Sequence, residues 1–407
     1  MNRRHDIDAL RALAFGLVIT YHVGMYYVAD WHWHIKSPHA AEWLQWPMRA
    51  LNLWRMDLVF LISGVAFGFL SRGLTPARLI GARSLRLMLP LAFGMAVVVP
   101  YQPYLQALDQ RVIEPGLGAF LARYYTGGPW PPGAFDGSDF GVTWNHLWYL
   151  PYLWLYTVVL ALLSPALESN AGQRLRQSFT RLRGAALLVL PALPLALYSL
   201  ALWPRFPPSH DLIHDAWLHA VYFTLFLYGH WLGVDAGLWA ALRRLRWIAL
   251  AMAMGTFVLH LGLRLTLAGT DPIWRMLARW VADGYVWTSL VAVLGWAHHA
   301  LNRPWSWLAW ANESVYPWYV LHQTLIIVLA VWLGPLALGP VVEPIVLLLG
   351  TVLGCWLLTE GLVRRVGWLR PLFGLKRQVG EAAGCTCQRG DGSQGPDRPS
   401  AVGRLKP

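Results

Sequence analysis

The chain has 407 residues, of which 56% are hydrophobic and only 13% charged, a composition that excludes an ordinary soluble globular domain. Its net charge of +12 falls in short loops between apolar runs and not in a stripe with interleaved exposed aromatics, so membrane topology accounts for it better than nucleic acid does. Three cysteines, one in an apolar run and two in the tail, exclude a disulfide framework.

Windows of about 20 apolar residues give ten predicted spans, at roughly 9–28, 51–70, 87–107, 146–166, 185–203, 216–236, 247–268, 284–301, 314–333 and 341–362. The fold class expected is therefore all-α, a polytopic helical bundle in which residues 1–375 form one membrane domain. The first span lacks a small-x-small cleavage site before its bulky Tyr and Trp residues, so it is expected to be retained. It carries Arg11 and His22, with Asp8 just before it. Eleven helical steps bring His22 back to within about 20° of Arg11, about 16 Å further along the same face. Ionisable side chains are expensive in lipid, so that face is expected to border a protein-lined tunnel. His22 has the chemistry of a general base, and its plainer role is a hydrogen bond to a neighbouring helix. Arg11 lies near one end, where snorkelling or pairing with Asp8 is the plainer role and holding a phosphate the sharper one.

The second span runs back, and Arg55 and Asp57 fall near the depth of His22. These two either pair with each other or with the interface, or serve the site. Ser63-Gly64 forms a small-residue patch suited to close helix packing, and no base follows Ser63 in a nucleophile-elbow pattern. The next loop holds Arg72, Arg78, Arg83 and Arg86, guanidiniums suited to bidentate phosphate contacts and equally explained by topology. A Gly- and Pro-rich stretch from Asp109 to Thr143 is the longest loop on the other side, a length that often carries function. His146 opens the fourth span; Glu313 stands near the start of the ninth and His322 within it, and Glu360 near the end of the tenth is placed to pair with Arg364. His322 is open to a structural or a catalytic reading.

Arginines concentrate in alternate loops and after the last span, which by the positive-inside rule places both termini in the cytoplasm. Trp31, Trp33, Trp43, Trp46, Trp144 and Trp148 cluster where spans meet water, as interfacial anchors or as sugar-stacking faces. Residues 376–407 form a cytoplasmic tail rich in Gly, Ser, Pro and charge, which is expected to be disordered. No convincing metal set is present: His32 and His34 lie in a loop without Cys or Glu partners nearby in sequence.

The succession Arg11-x10-His22, Phe60-Leu-Ile-Ser63-Gly64, Arg83-Ser-Leu-Arg86 and His146-Leu-Trp148-Tyr resembles the acyltransferase 3 family of integral membrane acyltransferases over residues 5 to about 375. Ile7-Asp8-Ala-Leu-Arg11-Ala, His32-Trp33-His34, Arg55-Met56 and Ala311-Asn312 through His322 look most like the glucan biosynthesis protein C branch. The resemblance implies transfer of an acyl group from cytoplasmic acyl-CoA through the bundle to a hydroxyl of a periplasmic or cell-envelope glycan, in the bacterial inner membrane. In that branch the group is succinyl. By position, His22 is implied as the catalytic histidine, Arg11 as its partner, and Arg83 and Arg86 as the entry for the CoA phosphates. Asp8, Arg55, Ser63, His146 and His322 complete the expected donor- and substrate-binding set, Arg55 as a partner for a succinyl carboxylate. Phe60-Leu61 departs from the two phenylalanines of many members, and with no appended hydrolase-like domain expected, transfer must finish within the bundle. No bound cofactor and no metal is implied, and membrane lipid is the surrounding partner. A transporter or exporter of an anionic or sugar-linked substrate is the rival reading, with Arg11, Arg55 and His22 as relay groups. It usually shows a repeat pair, and none is evident.

Overall fold

The structure, a computed structural model, describes residues 4–377 apart from 234, 268 and 270. The regular elements of the described residues are all helical, with one isolated bridge between Val28 and Ala41 and no strand. In order the helices are α1 (His5–Tyr27), α2 (Gln45–Leu70), α3 (Pro76–Phe93), α4 (Tyr101–Asp109), α5 (Leu117–Tyr125), α6 (Tyr149–Leu162), α7 (Ser164–Glu168) and α8 (Asn170–Thr180). They continue as α9 (Gly184–Val189), α10 (Ala192–Ala201), α11 (Ala216–Leu232), α12 (Ala236–Thr266), α13 (Pro272–Ala300), α14 (Leu308–Leu333), α15 (Gly339–Leu358) and α16 (Leu369–Leu372).

Seven helical stretches among the described residues are long and apolar enough to cross a bilayer, and the chain is an integral membrane protein with a helical bundle. The predicted spans at 146–166, 216–236 and 284–301 lie outside those seven. Their helices are built differently: α6 has 14 residues and α11 has 17, while the first half of α13 carries Arg275, Arg279 and Asp283. The tail lies almost wholly outside the described residues.

Local chemistry sets the helix ends. Asp6 and Asp8 stand in the first turn of α1, where the N-terminal dipole favours negative charge. Asp235 and Asp271 cap α12 and α13 through hydrogen bonds from the Leu238 and Ile273 amides, at 2.8 and 2.7 Å. Pro76 opens α3 behind the Thr75 cap, while Pro90 inside it precedes a π-turn over Gly94–Val98 in which the Val99 amide donates to the Gly94 carbonyl at 2.8 Å.

Glycine decides the closest helix contact. A Cβ on Gly64 of α2 would stand 1.9 Å from the Phe226 carbonyl oxygen of α11, and one on Gly229 would stand 1.9 Å from that of Leu61. Gly68 and Gly233 continue the same seam, so α2 and α11 meet backbone to backbone. The packing role expected of Ser63-Gly64 is thus met by its glycine. Beside this pair α1 packs on α2 and α14, and α3 on α6, leaving an axis enclosed by α1, α2, α3, α6 and α14.

Candidate active site

A cavity of about 470 Å³ lies at the arginine-rich end of that axis. Arg4, which precedes α1, lines it together with Asp8, Arg11 and Phe15 of α1, Ser63 of α2, Arg83 and Arg86 of α3, Tyr149 of α6 and Tyr316 and Tyr319 of α14. Arg86 is exposed and Arg11 and Arg83 are half-buried, so water reaches the space. The guanidiniums of Arg11 and Arg86 each stand 5.7 Å from the Tyr316 ring centre. Two cations from different helices thus approach one aromatic ring. Asn312 ties α14 to α1 by donating to the Asp8 carbonyl at 3.0 Å. Behind the cavity Glu313 bonds Arg364 and Arg370 at 3.0 and 3.2 Å, and Glu360 takes Arg364 at 3.1 Å, the pairing expected from sequence.

Further along α1, a chamber of about 20 Å³ is lined by His22, Arg55 and His146 together with Phe15, Tyr149 and Tyr319. The last three rings border both spaces. They meet one another edge to face, with centroids at 5.5 Å for Phe15 and Tyr319, 6.3 Å for Phe15 and Tyr149, and 6.0 Å for Tyr149 and Tyr319. The single tunnel expected between Arg11 and His22 is therefore two spaces divided by an aromatic partition. Both residues do face the common axis, because the stripe Asp8, Arg11, Phe15, Val18, His22 follows the helical repeat. Two partition rings are tethered: Tyr149 shares a 2.5 Å hydrogen bond with Ser63, and Tyr319 donates to the His146 carbonyl at 2.6 Å. Ser63 directs its own proton to the Val59 carbonyl at 2.8 Å, so its hydroxyl faces no base.

The hydrogen bonds fix which nitrogen of His22 is free. Nδ1 of His322 lies 2.8 Å from the Tyr319 carbonyl, which can only accept, so the proton of His322 sits on Nδ1. Its Nε2 is then a lone pair, 3.0 Å from Nδ1 of His22. Nδ1 of His22 must donate, and the remaining lone pair of His22 is on Nε2. A backbone carbonyl thus sets, through one imidazole, the tautomer of a second. Phe15 and Tyr319 pack beside them, and the two imidazole planes lie within 17° of parallel with centroids 5.0 Å apart, as an edge-to-edge hydrogen bond requires.

Beyond the chamber lies a compact polar network. His146 donates from Nε2 to the Tyr319 and Val320 carbonyls at 3.1 and 3.2 Å, and its Nδ1 accepts from Gln102 at 3.2 Å. Gln102 also donates to Thr324 at 2.7 Å, and Thr324 donates to the Val98 carbonyl in the π-turn at 2.9 Å. Gln323 donates to Gln102 and to Nε2 of His34, while Nδ1 of His34 donates to Gln106 at 2.7 Å. Both nitrogens of His146 and both of His34 are occupied, which makes these histidines structural members. Asp136 joins the loop over 109–143 to this network through Gln106, which donates to its carboxylate at 3.4 Å and accepts from its amide at 3.3 Å, and it also bonds His32 at 3.1 Å. Burial opposes the Asp136 charge, and the neighbouring His34 and His32 outweigh it, holding the carboxyl below its usual range. The loop itself folds around Phe120, Tyr124, Trp130 and Phe135.

All nine residues singled out in the sequence border this one axis or bond to a residue that does: Asp8, Arg11, Ser63, Arg83 and Arg86 in the large cavity, His22, Arg55 and His146 in the chamber, and His322 on His22. Sequence reasoning missed the partition, the glutamine network and the buried Asp6, which accepts from Arg4 at 2.6 Å and pairs with His298 at 2.7 Å. The Tyr-x-x-His spacing of Tyr319 and His322, one turn apart, was the available signal for the partition.

Compared with known proteins, residues 4–360 match the acyltransferase 3 family, described as an acyltransferase domain. No curated protein and no solved structure matches the chain.

Proposed function

Because the chain belongs to the acyltransferase 3 family, a membrane acyltransferase domain spanning nearly its whole length, we propose that it is an O-acyltransferase of the bacterial inner membrane. The donor is acyl-CoA, entering from the cytoplasm at the arginine-rich end, and the acceptor is a hydroxyl of a cell-envelope glycan on the far side. Succinyl is the acyl group and a periplasmic glucan the acceptor in the finer form of this reading. One observation carries it: the free Nε2 of His22 lies beyond a guanidinium-lined cavity, on the same axis.

The phosphates of CoA match Arg83, Arg86 and Arg11, whose planar donors suit oxyanions. The cavity of about 470 Å³ takes the pantetheine arm, and the thioester carbonyl meets the partition. Nε2 of His22 takes the hydroxyl proton as the acceptor oxygen attacks, and His322, bonded to Nδ1, keeps that nitrogen turned away. The CoA thiolate is a good leaving group and recovers the proton from His22, so the exchange needs no prosthetic group.

Inside-out membrane vesicles given acyl-labelled CoA and glycan provide the test. Label on the glycan with equal release of free CoA is expected. Export of glycan without CoA release would replace this reading with the transporter.

A further inference from the structure

Arg55 is the one member of the chamber whose chemistry the reading above leaves unused. Its side chain is only 6% exposed, yet Nε and Nη1 are buried without a hydrogen-bond partner. The central carbon of the guanidinium lies 3.4 Å from the centre of the Tyr21 ring, a cation–π contact that gives Nε and Nη1 no acceptor. Asp57 is two positions along α2 and hence on another face, and among the described residues no ion pair joins the two. A buried guanidinium with orphaned donors is costly unless an anion arrives to meet it.

Resting on the acyltransferase reading, we infer that Arg55 holds the oxyanion formed at the thioester carbonyl, as a catalytic residue that donates from Nε and Nη1 to that oxygen. The size and company of the chamber choose this anion over the far end of a dicarboxylic acyl group. A base must come within about 3 Å of the hydroxyl it deprotonates, so the carbonyl under attack stands at His22. Arg55 lines the same space of about 20 Å³, room for about one water-sized group. An acyl chain whose tail filled that space would hold its carbonyl several bonds away, on the other side of the rings.

The step balances. The acceptor oxygen forms the new C–O bond as Nε2 of His22 takes its proton, and the carbonyl π pair moves onto oxygen, opposite Arg55. Collapse restores the C=O, breaks the C–S bond and sends the electron pair to sulfur; the thiolate then takes the proton back from His22. One ester and one free CoA leave.

The test uses the full chain in lipid nanodiscs, with acetyl-CoA and succinyl-CoA as donors. Arg55→Gln is expected to lower kcat by on the order of 10²- to 10³-fold for every donor the wild type uses, with donor KM within about threefold, and Arg55→Lys to recover part of it. A loss confined to succinyl-CoA, seen as raised KM, would assign Arg55 to the acyl tail and overturn the inference, as would unchanged kcat. A second measurement is independent of turnover, and its wild-type arm is independent of mutant folding. The trifluoromethyl ketone analogue of acetyl-CoA hydrates to a tetrahedral form, and the wild type is expected to bind it on the order of 100-fold more tightly than the plain ketone analogue. No preference in the wild type, or the same preference in Arg55→Gln, overturns the oxyanion role. A wild type that prefers the hydrated analogue but acylates no glycan would instead sink the acceptor assignment and leave Arg55 in place.

Discussion

The two ends of the axis solve opposite problems with the same kinds of side chain. At the arginine-rich end, cations line about 470 Å³ of space, with Arg83 Nε lacking a partner. At the other end His146, Gln102, Gln323, His34 and Gln106 are each at most 5% exposed and bonded to one another. The first arrangement has capacity left for a ligand, while the second has used its capacity on itself. Burial alone therefore says little about function here; the unspent hydrogen bonds do. His22 sits at the border, with one nitrogen committed to the scaffold and one left over.

The sharpest way to break this contrast is at that border. His22→Ala is expected to lower transfer by about 10²- to 10⁴-fold while leaving insertion and melting intact, and unchanged transfer would remove the histidine from the chemistry. His322→Ala should cost about tenfold to a hundredfold in kcat by releasing the tautomer, and His322→Gln, whose amide oxygen can accept from Nδ1, should restore most of it. Equal losses in both variants would make His322 a packing residue only. On the roomy side, Arg83→Ala with Arg86→Ala should raise donor KM by about tenfold with kcat held, since each removes a charge-assisted contact. A fall in kcat at constant KM would place these arginines at the reacting centre.

On the self-satisfied side the effect should appear in stability. Gln323→Leu leaves Nε2 of His34 and Oε1 of Gln102 without a donor and is expected to cost about 1–3 kcal/mol in unfolding, with activity per folded molecule unchanged. The smallest effect belongs to Lys36, in the loop after α1, whose ammonium donates to the Met25 and Val28 carbonyls at 2.8 and 2.6 Å. Burial pushes it down to about 8. Its folded value lies below the unfolded value of about 10.4, so the unfolded chain binds more protons between those limits and stability rises with pH across that window. Melting from pH 7 to 10.5 should show this rise in the wild type and a flatter curve in Lys36→Gln; identical curves would contradict it.

Much of the arginine-rich half was legible in the sequence because lipid makes charge conspicuous. Asp8, Arg11 and His22 stand out in an apolar run, and helical spacing alone puts them on one stripe. The network of the other half was not, because neutral Gln102 and Gln323 raise no such flag and their partners come from α4, α14 and two loops. The partition was hidden for a different reason: among 25 Trp, 16 Tyr and 14 Phe, nothing local distinguishes Phe15, Tyr149 and Tyr319. The seam of Gly64 and Gly229 was half legible, since small residues invite close contact but do not name the partner helix.

Of the three rings between the two spaces, Phe15 alone carries no hydroxyl to anchor it. A bundle with a water-reached, charge-lined hollow this deep threatens the electrical insulation on which an energised bilayer depends. With Tyr149 and Tyr319 tethered, the divide between the hollows depends on one benzyl group held by ring contacts alone.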